Sequence, residues 1–251
     1  MSPKRVERVL ITAVLTCCTF GALCAVAEAA TKKRGVQRLY SGARWSPPGP
    51  VAGYHATLRL DSARARDYGR RGYIAQTLWA ATNEGEVAYG RNVRAPYFQV
   101  SVSRGYRGRS GLHIVSAARL ADGRYTEGRS RGPAIEYGQD YSFSMIGEIG
   151  GVRKVKLGPE EITEGKGLGD KFGSLSAYAG LESTSSLNCG EGRVSKLGRR
   201  AVQGNQGSAL FPEWNLAGDR VRAKLVSRGR GSARWEDRDY ELVNSFGGCQ
   251  H

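Results

Sequence analysis

The feature of this sequence that most constrains its fold is a two-residue alternation of apolar and polar side chains. In the stretch 54–60, a tyrosine, an alanine and two leucines alternate with polar residues, and the stretch 141–145 repeats the pattern. Such a period places every second side chain on one face of a β-strand. No stretch sustains a helical period for three turns, and the best short helical candidates are 61–68 and 159–164. The chain is therefore predicted to be built from strands.

Several further strands are predicted along the chain, separated by glycine-rich turn signals. They cover residues 73–81, 86–91, 97–103, 112–117, 152–157, 175–181, 220–226 and 239–243. Glycine makes up 35 of the 251 residues, which suits many turns and disfavours a helical protein. Many short strands without intervening helices predict an all-β protein, either a two-layer antiparallel β-sandwich or a closed barrel. We predict the sandwich, as a single domain.

Residues 1–29 are predicted to be a signal peptide. Lys4, Arg5 and Arg8 form a basic start, residues 9–26 are almost wholly apolar or small, and residues 27–29 read Ala-Glu-Ala. This is the pattern that a signal peptidase cleaves. An uncleaved membrane anchor is the alternative, but the apolar run is barely long enough to span a bilayer. We therefore expect cleavage after residue 29 and a secreted protein, extracellular or associated with the cell wall, without a membrane anchor.

The mature chain is expected to have two parts and one disulfide. Residues 30–50 are predicted to be a basic N-terminal arm, up to about residue 38, and an entry segment that leads into the sandwich domain, residues 51–251. Of the five cysteines, only Cys189 and Cys249 remain after cleavage, and in an oxidising compartment two cysteines most simply form one disulfide. A metal site or a thiol nucleophile is the alternative, but no Cys-x-x-Cys motif or histidine cluster accompanies them. No metal or other cofactor is predicted.

Three short segments carry a resemblance to a known class of protein. They are Gln-Thr-Leu-Trp at 76–79, Val-Ala-Tyr-Gly at 87–90 and Ala-Gly-Leu-Glu-Ser-Thr at 179–184. Through them the chain resembles the concanavalin-like jelly rolls, and in particular the secreted β-sandwich proteins of high-GC Gram-positive bacteria. The resemblance implies a jelly-roll sandwich in an extracellular setting, with sugar polymers as the usual ligands.

The formal net charge of +15 makes an anionic partner the first candidate. In residues 220–226 the alternation is clean, so the apolar residues Val221, Ala223 and Leu225 are expected to face the core. Three cations would then project outward at intervals of about 6 to 7 Å, as a row that could follow an extended anionic polymer. They are Arg220, Arg222 and Lys224. The alternative is a solvated strand face whose charges discourage pairing with another strand.

A second candidate site lies around Trp235. Trp235, Asp237 and Asp239 share one face of the segment 235–241. An exposed indole beside hydrogen-bonding carboxylates suits carbohydrate binding, and the carboxylates could also attract calcium. In the alternative interpretation, Trp235 caps the end of the sandwich and the acids balance neighbouring arginines. Trp79, which is in phase with Tyr73, is predicted to lie in the core.

Catalytic signatures are mostly absent. The sequence has no Gly-x-Ser-x-Gly elbow, no phosphate-binding glycine loop and no His-Glu-x-x-His motif. His55 and His113 fall in predicted strands and are interpreted as surface or interface residues. Glu84 and Glu86 would share a strand face at a spacing that glycoside hydrolysis can use, although a solvated surface is the preferred interpretation. Catalytic residues therefore remain unassigned.

Three functions are compatible with these sequence features. The preferred one is a secreted, non-catalytic protein that binds extracellular polysaccharide or an anionic cell-envelope polymer. The alternatives are a polysaccharide hydrolase or lyase on the same fold, which a sheet face carrying Glu86 or a His/Tyr/Arg group would favour, and a secreted structural or partner-binding protein. Nucleic acid is electrostatically possible, but secretion argues against it as the primary partner. Sequence leaves the oligomeric state undetermined.

Overall fold

The structure is a computed structural model that describes residues 38–45, 51–65, 72–82, 97–119, 124–129, 134–148, 152–166, 172–201, 224–227, 230–236 and 241–247. The strands are β1 Leu39–Trp45, β2 Val51–Arg64, β3 Ile74–Thr82, β4 Tyr97–Arg104, β5 Leu112–Arg119, β6 Tyr125–Arg129, β7 Tyr141–Glu148, β8 Val152–Leu157, β9 Glu160–Lys166, β10 Phe172–Ser183, β11 Cys189–Ala201, β12 Lys224–Ser227, β13 Gly231–Glu236 and β14 Glu241–Phe246. One turn of 3₁₀ helix, Tyr106–Gly108, precedes β5. Within these ranges no helix has the length and hydropathy needed to cross a membrane.

The described strands form two antiparallel sheets of seven strands each. The front sheet has the order β12-β1-β10-β3-β4-β5-β6, and the back sheet has the order β13-β14-β11-β2-β7-β8-β9. The two sheets join where Phe172 of β10 lies opposite Val51 of β2. The predicted two-layer antiparallel β-sandwich is confirmed.

The core lies between the sheets and follows the alternation of the sequence. Tyr54 and Leu58 of β2 are fully buried, in one cluster with Leu78 of β3, Val100 of β4 and Leu181 of β10. Complete burial of one such side chain stabilises the fold by roughly 1.5 to 3 kcal/mol. The period of two therefore determines which face of each sheet turns toward the other.

One polar side chain connects the two sheets across the core. Gln76 lies in the apolar phase of β3 and is fully buried. Its Nε2 donates a hydrogen bond to the backbone oxygen of Arg193 in the back sheet, at 3.1 Å. Gly192 makes room for this side chain, because a Cβ at that position would lie 2.6 Å from Gln76 Oε1. The amide thus fixes the position of β3 against β11.

The boundaries of the sandwich differ from the sequence prediction at several points. β1 pairs with both β10 and β12, so the sheet begins at Leu39, within the entry segment predicted before residue 51. Residues 160–166 form β9 and residues 61–64 continue β2, where short helices were candidates. Ladder pairing overrides local propensity in both places. The strand predicted at 86–91 lies outside the described residues.

Cys189 is the first residue of β11 and is disulfide-bonded. Its neighbour Gly190 lies opposite Phe246, the last residue of β14. The ladder therefore brings the end of β14, from which the chain continues to Cys249, beside Cys189. Cys249 lies outside the described residues, so the pairing of these two cysteines stays a prediction.

We predict that replacing Cys249 with Ser leaves Cys189 as a free thiol and lowers the free energy of unfolding. A bond that closes a loop of about 60 residues contributes roughly 4 kcal/mol by restricting the unfolded chain. Peptide mass mapping without reductant, together with urea unfolding of both proteins, measures the two effects. Detection of two free thiols in the denatured wild-type protein would rule out the pairing.

Candidate functional site on the front sheet

β4 is buried on both of its faces. Residues 98–103 are all buried, although only one face of the strand looks into the core. Gln99, Ser101 and Ser103 lie on the other side, the outer face of the front sheet, which we call the front face. Buried polar side chains require hydrogen-bond partners. The front face is therefore an organised polar surface and differs from an ordinary solvated strand face.

The centre of this surface is the carboxylate of Glu182, which is 1% exposed. The Tyr73 hydroxyl donates to Oε1 at 2.7 Å, and Arg38 Nη1 donates to the same oxygen at 2.8 Å as an ion pair. Gln99 Nε2 donates to Oε2 at 3.1 Å. Both carboxylate oxygens are thus engaged. A buried charge of this kind is tolerated because it is paired and hydrogen-bonded.

Four separate segments of the chain supply these groups. Glu182 lies in β10, Arg38 immediately precedes β1, Tyr73 precedes β3, and Gln99 lies in β4. The Gln99 amide is also held by Thr77, whose Oγ1 accepts from Nε2 at 2.8 Å and donates to the Val100 backbone oxygen at 3.1 Å. Strand pairing in the front sheet therefore assembles a group that is dispersed in the sequence.

The electrostatics of the site keep its tyrosines protonated. Burial raises the pKa of Tyr73 well above the ordinary value of 10.0, and the nearby Glu182 carboxylate raises it further. The same two causes raise the pKa of Tyr40 and of Tyr178. Burial lowers the pKa of Arg38, but Glu182 and the surrounding tyrosines outweigh this effect and the pKa rises. The site therefore keeps neutral phenols and a charged guanidinium at physiological pH.

A pair of glycines allows Tyr178 to fold back over the sheet. Gly42 of β1 lies opposite Gly180 of β10, and a Cβ on Gly180 would lie 2.5 Å from the Gly42 Cα. The Tyr178 hydroxyl occupies this space, donating to the Leu181 backbone oxygen at 2.5 Å and accepting from the Ser41 N–H at 3.1 Å. The absence of two side chains is therefore what lets the tyrosine ring lie against the sheet.

Trp79 stacks on this ring. It is half-buried on the front face, with its ring centroid 5.9 Å from that of Tyr178 and an interplanar angle of 26°. Tyr40 meets the same ring edge-on at 5.4 Å. The prediction that Trp79 lies in the core is wrong: Ile74, Leu78 and the other residues of the opposite phase fill the core, and Trp79 finds its apolar partner on the outer face.

A small pocket, with a cavity volume of about 10 Å³, lies beside the Glu182 group. Its lining residues are Tyr73, Gln99, Ser101, Ser103, Tyr106, Val115, Ala117, Tyr125 and Glu127. Tyr125 is 43% exposed, so an aromatic ring is accessible at the pocket. An accessible ring beside several fixed polar groups is suited to contact with the surface of a ligand.

The predicted row of cations is described only in part. Lys224 is exposed and lies opposite Arg44, which places it on the front face at the edge of the sheet. Leu225 lies opposite the core residue Ala43, on the side of the sheet that was expected, and is 44% exposed. β12 is a four-residue edge strand, so the layer beneath does not cover it fully. Arg220 and Arg222 lie outside the described residues.

Trp235 lies in the other sheet. It is half-buried, packs against the core and lies opposite the buried Leu242. This placement agrees with the alternative interpretation, in which the ring caps the sandwich. Asp237 and Asp239 lie outside the described residues, as do Glu84 and Glu86. The structure thus places Lys224 and Trp235 in different sheets.

The histidines do not join the Glu182 group. His55 Nδ1 lies 2.9 Å from Ser144 Oγ in the back sheet, and burial together with Lys196 lowers its pKa. Burial, followed by the charge of Arg129, lowers the pKa of His113. In the described part of the chain, no three His, Cys, Asp or Glu side chains are grouped so that they could hold a metal ion.

Sequence reasoning missed the residues of the front face, although one signal was present. The outer phase of β4 reads Gln99, Ser101, Ser103, which is polar but uncharged. A strand face in free contact with water usually carries Lys or Glu, so neutral polar residues in this phase indicate a covered or ligand-binding face. No comparable signal identified Glu182 or Arg38, because their partners come from distant segments.

Comparisons with known proteins show the fold but no family. No protein-family model and no curated protein matches the chain. A solved structure of scytalido-glutamic peptidase with a transition state analog inhibitor has a TM-score of 0.52 at 8% identity, covering 84% of this chain and 99% of that one. SCP-B, described as a member of the Eqolisin family of peptidases in complex with a tripeptide, gives 0.48 at 9% identity over 84% and 99%. The PL7 alginate lyase AlyA1 from Zobellia galactanivorans gives 0.39 at 12% identity over 62% and 63%. The first likeness shows a shared β-sandwich.

We predict that Glu182→Ala lowers the free energy of unfolding by about 3 kcal/mol or more, because removing one member of a buried ion pair leaves its partners without a counter-charge. Arg234→Ala is the matched control. Arg234 also forms an ion pair, with Glu236 at 3.1 Å, but its side chain is 66% exposed, and we expect a change within about 0.5 kcal/mol. Urea unfolding measures both, and equal small effects would show that the Glu182 network does not hold the front sheet.

Proposed function

We propose that this protein is a secreted, non-catalytic binding protein for an extracellular polysaccharide, with the front face as its binding surface. The observation that carries the proposal is the pocket in which the accessible ring of Tyr125 lies beside the buried polar side chains Gln99, Ser101 and Ser103. The ring can pack on the apolar face of a sugar. The oxygen of the Gln99 amide and the serine hydroxyl oxygens can accept hydrogen bonds from sugar hydroxyls.

The network around Glu182 supports binding because it fixes the pocket in advance. Tyr73 and Gln99 both line the pocket, and both donate to the Glu182 carboxylate. Side chains that are already ordered lose little conformational entropy when a ligand arrives. A polymer that contacts this pocket therefore meets a rigid surface.

The position of Lys224 allows the surface to extend. Lys224 lies on the front face at the edge opposite to β6, so a long polymer crossing the sheet would pass from the pocket toward it. Arg220 and Arg222 would continue the row if the alternation of 220–226 holds. This extension fits an anionic envelope polymer, and it belongs to the same proposal.

A non-catalytic role is preferred because the carboxylate of Glu182, the best candidate for an acid or base, is already hydrogen-bonded within the protein. Glu182 is 1% exposed and accepts three hydrogen bonds. A general acid or base must reach the proton that it transfers, directly or through one water. A second carboxylate, that of Glu127, lines the pocket. It is paired with Arg107, whose Nη2 lies 4.0 Å away.

We predict that Tyr125→Ala weakens polysaccharide binding by about three- to tenfold, the effect of losing one aromatic contact. Tyr137→Ala is the matched control, since Tyr137 is 40% exposed and lies outside the pocket. Binding of the mature protein to purified cell wall, a neutral glucan and an acidic polysaccharide is measured by pull-down and calorimetry. Absence of binding to every polymer, or equal binding by both variants, would contradict the proposal.

A hydrolase is the second candidate, and the contact between Glu182 and Gln99 favours it. A carboxylate and an amide on one sheet face can act as an acid–base group and as a hydrogen-bond donor to a developing oxyanion. Since the similar solved structures include peptidases, peptides join polysaccharides in the substrate panel. If this candidate is correct, Glu182→Gln abolishes product formation, while Tyr125→Ala reduces it in part. Absence of product from the wild-type protein would exclude it for the tested substrates.

A further inference from the structure

We infer that Arg119 selects an acidic sugar unit, so that the polymer bound at the front-face pocket carries carboxylates. This inference rests on the proposed function. Arg119 is the last residue of β5 and lies on the front face, directly opposite Tyr97 of β4 and Tyr125 of β6. Its guanidinium carbon lies 5.9 Å from the centre of the Tyr97 ring and 6.0 Å from that of Tyr125. Two aromatic rings therefore hold the cation at the margin of the pocket.

The charges around the pocket leave Arg119 available. Among the described residues of this face, Arg38 is paired with Glu182 at 2.8 Å, and Arg107 approaches Glu127 at 4.0 Å. Arg119 forms no such ion pair with a described residue, and its Nε is buried without a hydrogen-bond partner. Its guanidinium therefore carries a positive charge that has no counter-charge among the described carboxylates. An anionic ligand at the margin of the pocket would supply one.

The geometry suits a carboxylate in particular. A guanidinium is planar and presents parallel N–H groups that match the two oxygens of a carboxylate. Contact with the two rings holds this plane in place. Burial, followed by Tyr97 and Glu127, raises the pKa of Tyr125, whose side chain is hydrogen-bonded to Glu127.

A second cation strengthens the attraction for acidic polymers. Arg129 of β6 lies opposite Val115, a residue that lines the pocket, and is exposed. Because Arg129 is exposed on the same face, it adds positive electrostatic potential near the pocket. Arg119 is therefore the group expected to discriminate between sugars, while Arg129 contributes long-range attraction that salt screens.

The test compares a polyuronate with the same polymer after reduction of its carboxyl groups, by calorimetry on the mature wild-type protein. We expect the polyuronate to bind about tenfold more tightly, the usual effect of one charge-assisted hydrogen-bond pair. Arg119→Gln should remove this preference while retaining binding of the reduced polymer. Arg234→Gln, on an exposed arginine of the back sheet, should leave the preference unchanged. If Arg119→Gln fails to fold, Arg119→Lys keeps the charge without the planar fork, and should retain only part of the preference.

The outcomes separate the two proposals. If the wild-type protein binds both polymers equally, or if Arg119→Gln keeps the preference, the inference about Arg119 is wrong and the proposed function stands. If neither polymer binds, the proposed function itself fails for these sugars. A sulfated polymer serves as a further arm, and tighter binding of sulfate than of uronate would overturn the assignment of a carboxylate.

Discussion

The hydrogen bonds to the Glu182 carboxylate are the interaction on which the front sheet depends. They draw together Arg38, Tyr73 and Gln99 from three different segments around a charge that is 1% exposed. A buried carboxylate cannot lose these partners without a large cost in free energy. The start of β1, the start of β3 and the middle of β4 are therefore constrained to move as one unit. This rigidity also makes the adjacent pocket a defined surface.

The front sheet buries residues on its outer face as well as on its inner face, unlike the sheets of a simple sandwich. A sheet with one solvated face needs apolar residues only on its inner side. Here Gln99, Ser101 and Ser103 are buried on the outer side, and the Gly42–Gly180 pair lets Tyr178 lie flat against the same face. The polar groups satisfy one another or remain available to a ligand. Burial of polar residues on this face is thus what turns a structural sheet into a candidate binding surface.

The positions of Glu182, Tyr125 and Arg119 bear on the choice between a binding function and a catalytic one. Glu182 is engaged and shielded, which suits a positioning role better than proton transfer. Tyr125 is accessible, and the Arg119 guanidinium lies next to it without an ion pair to a described residue. Accessible and unsatisfied groups are the ones that a ligand can still stabilise. These are the groups on which the proposal of acidic-polymer recognition at the front face rests.

The sequence by itself determined the class of structure, because the alternation in strands such as 54–60 states directly that successive side chains face opposite sides. It also predicted a sandwich without knowledge of any pairing. Only the tertiary structure decided which face is which. Trp79 was expected in the core but stacks on the front face, and Leu225 faces the core side of its sheet yet is 44% exposed. Arg38 and Glu182 are 144 positions apart, and they meet because β1 pairs with β10. A period of two records the alternation of faces, but what covers each face depends on contacts between distant strands, which no local pattern contains.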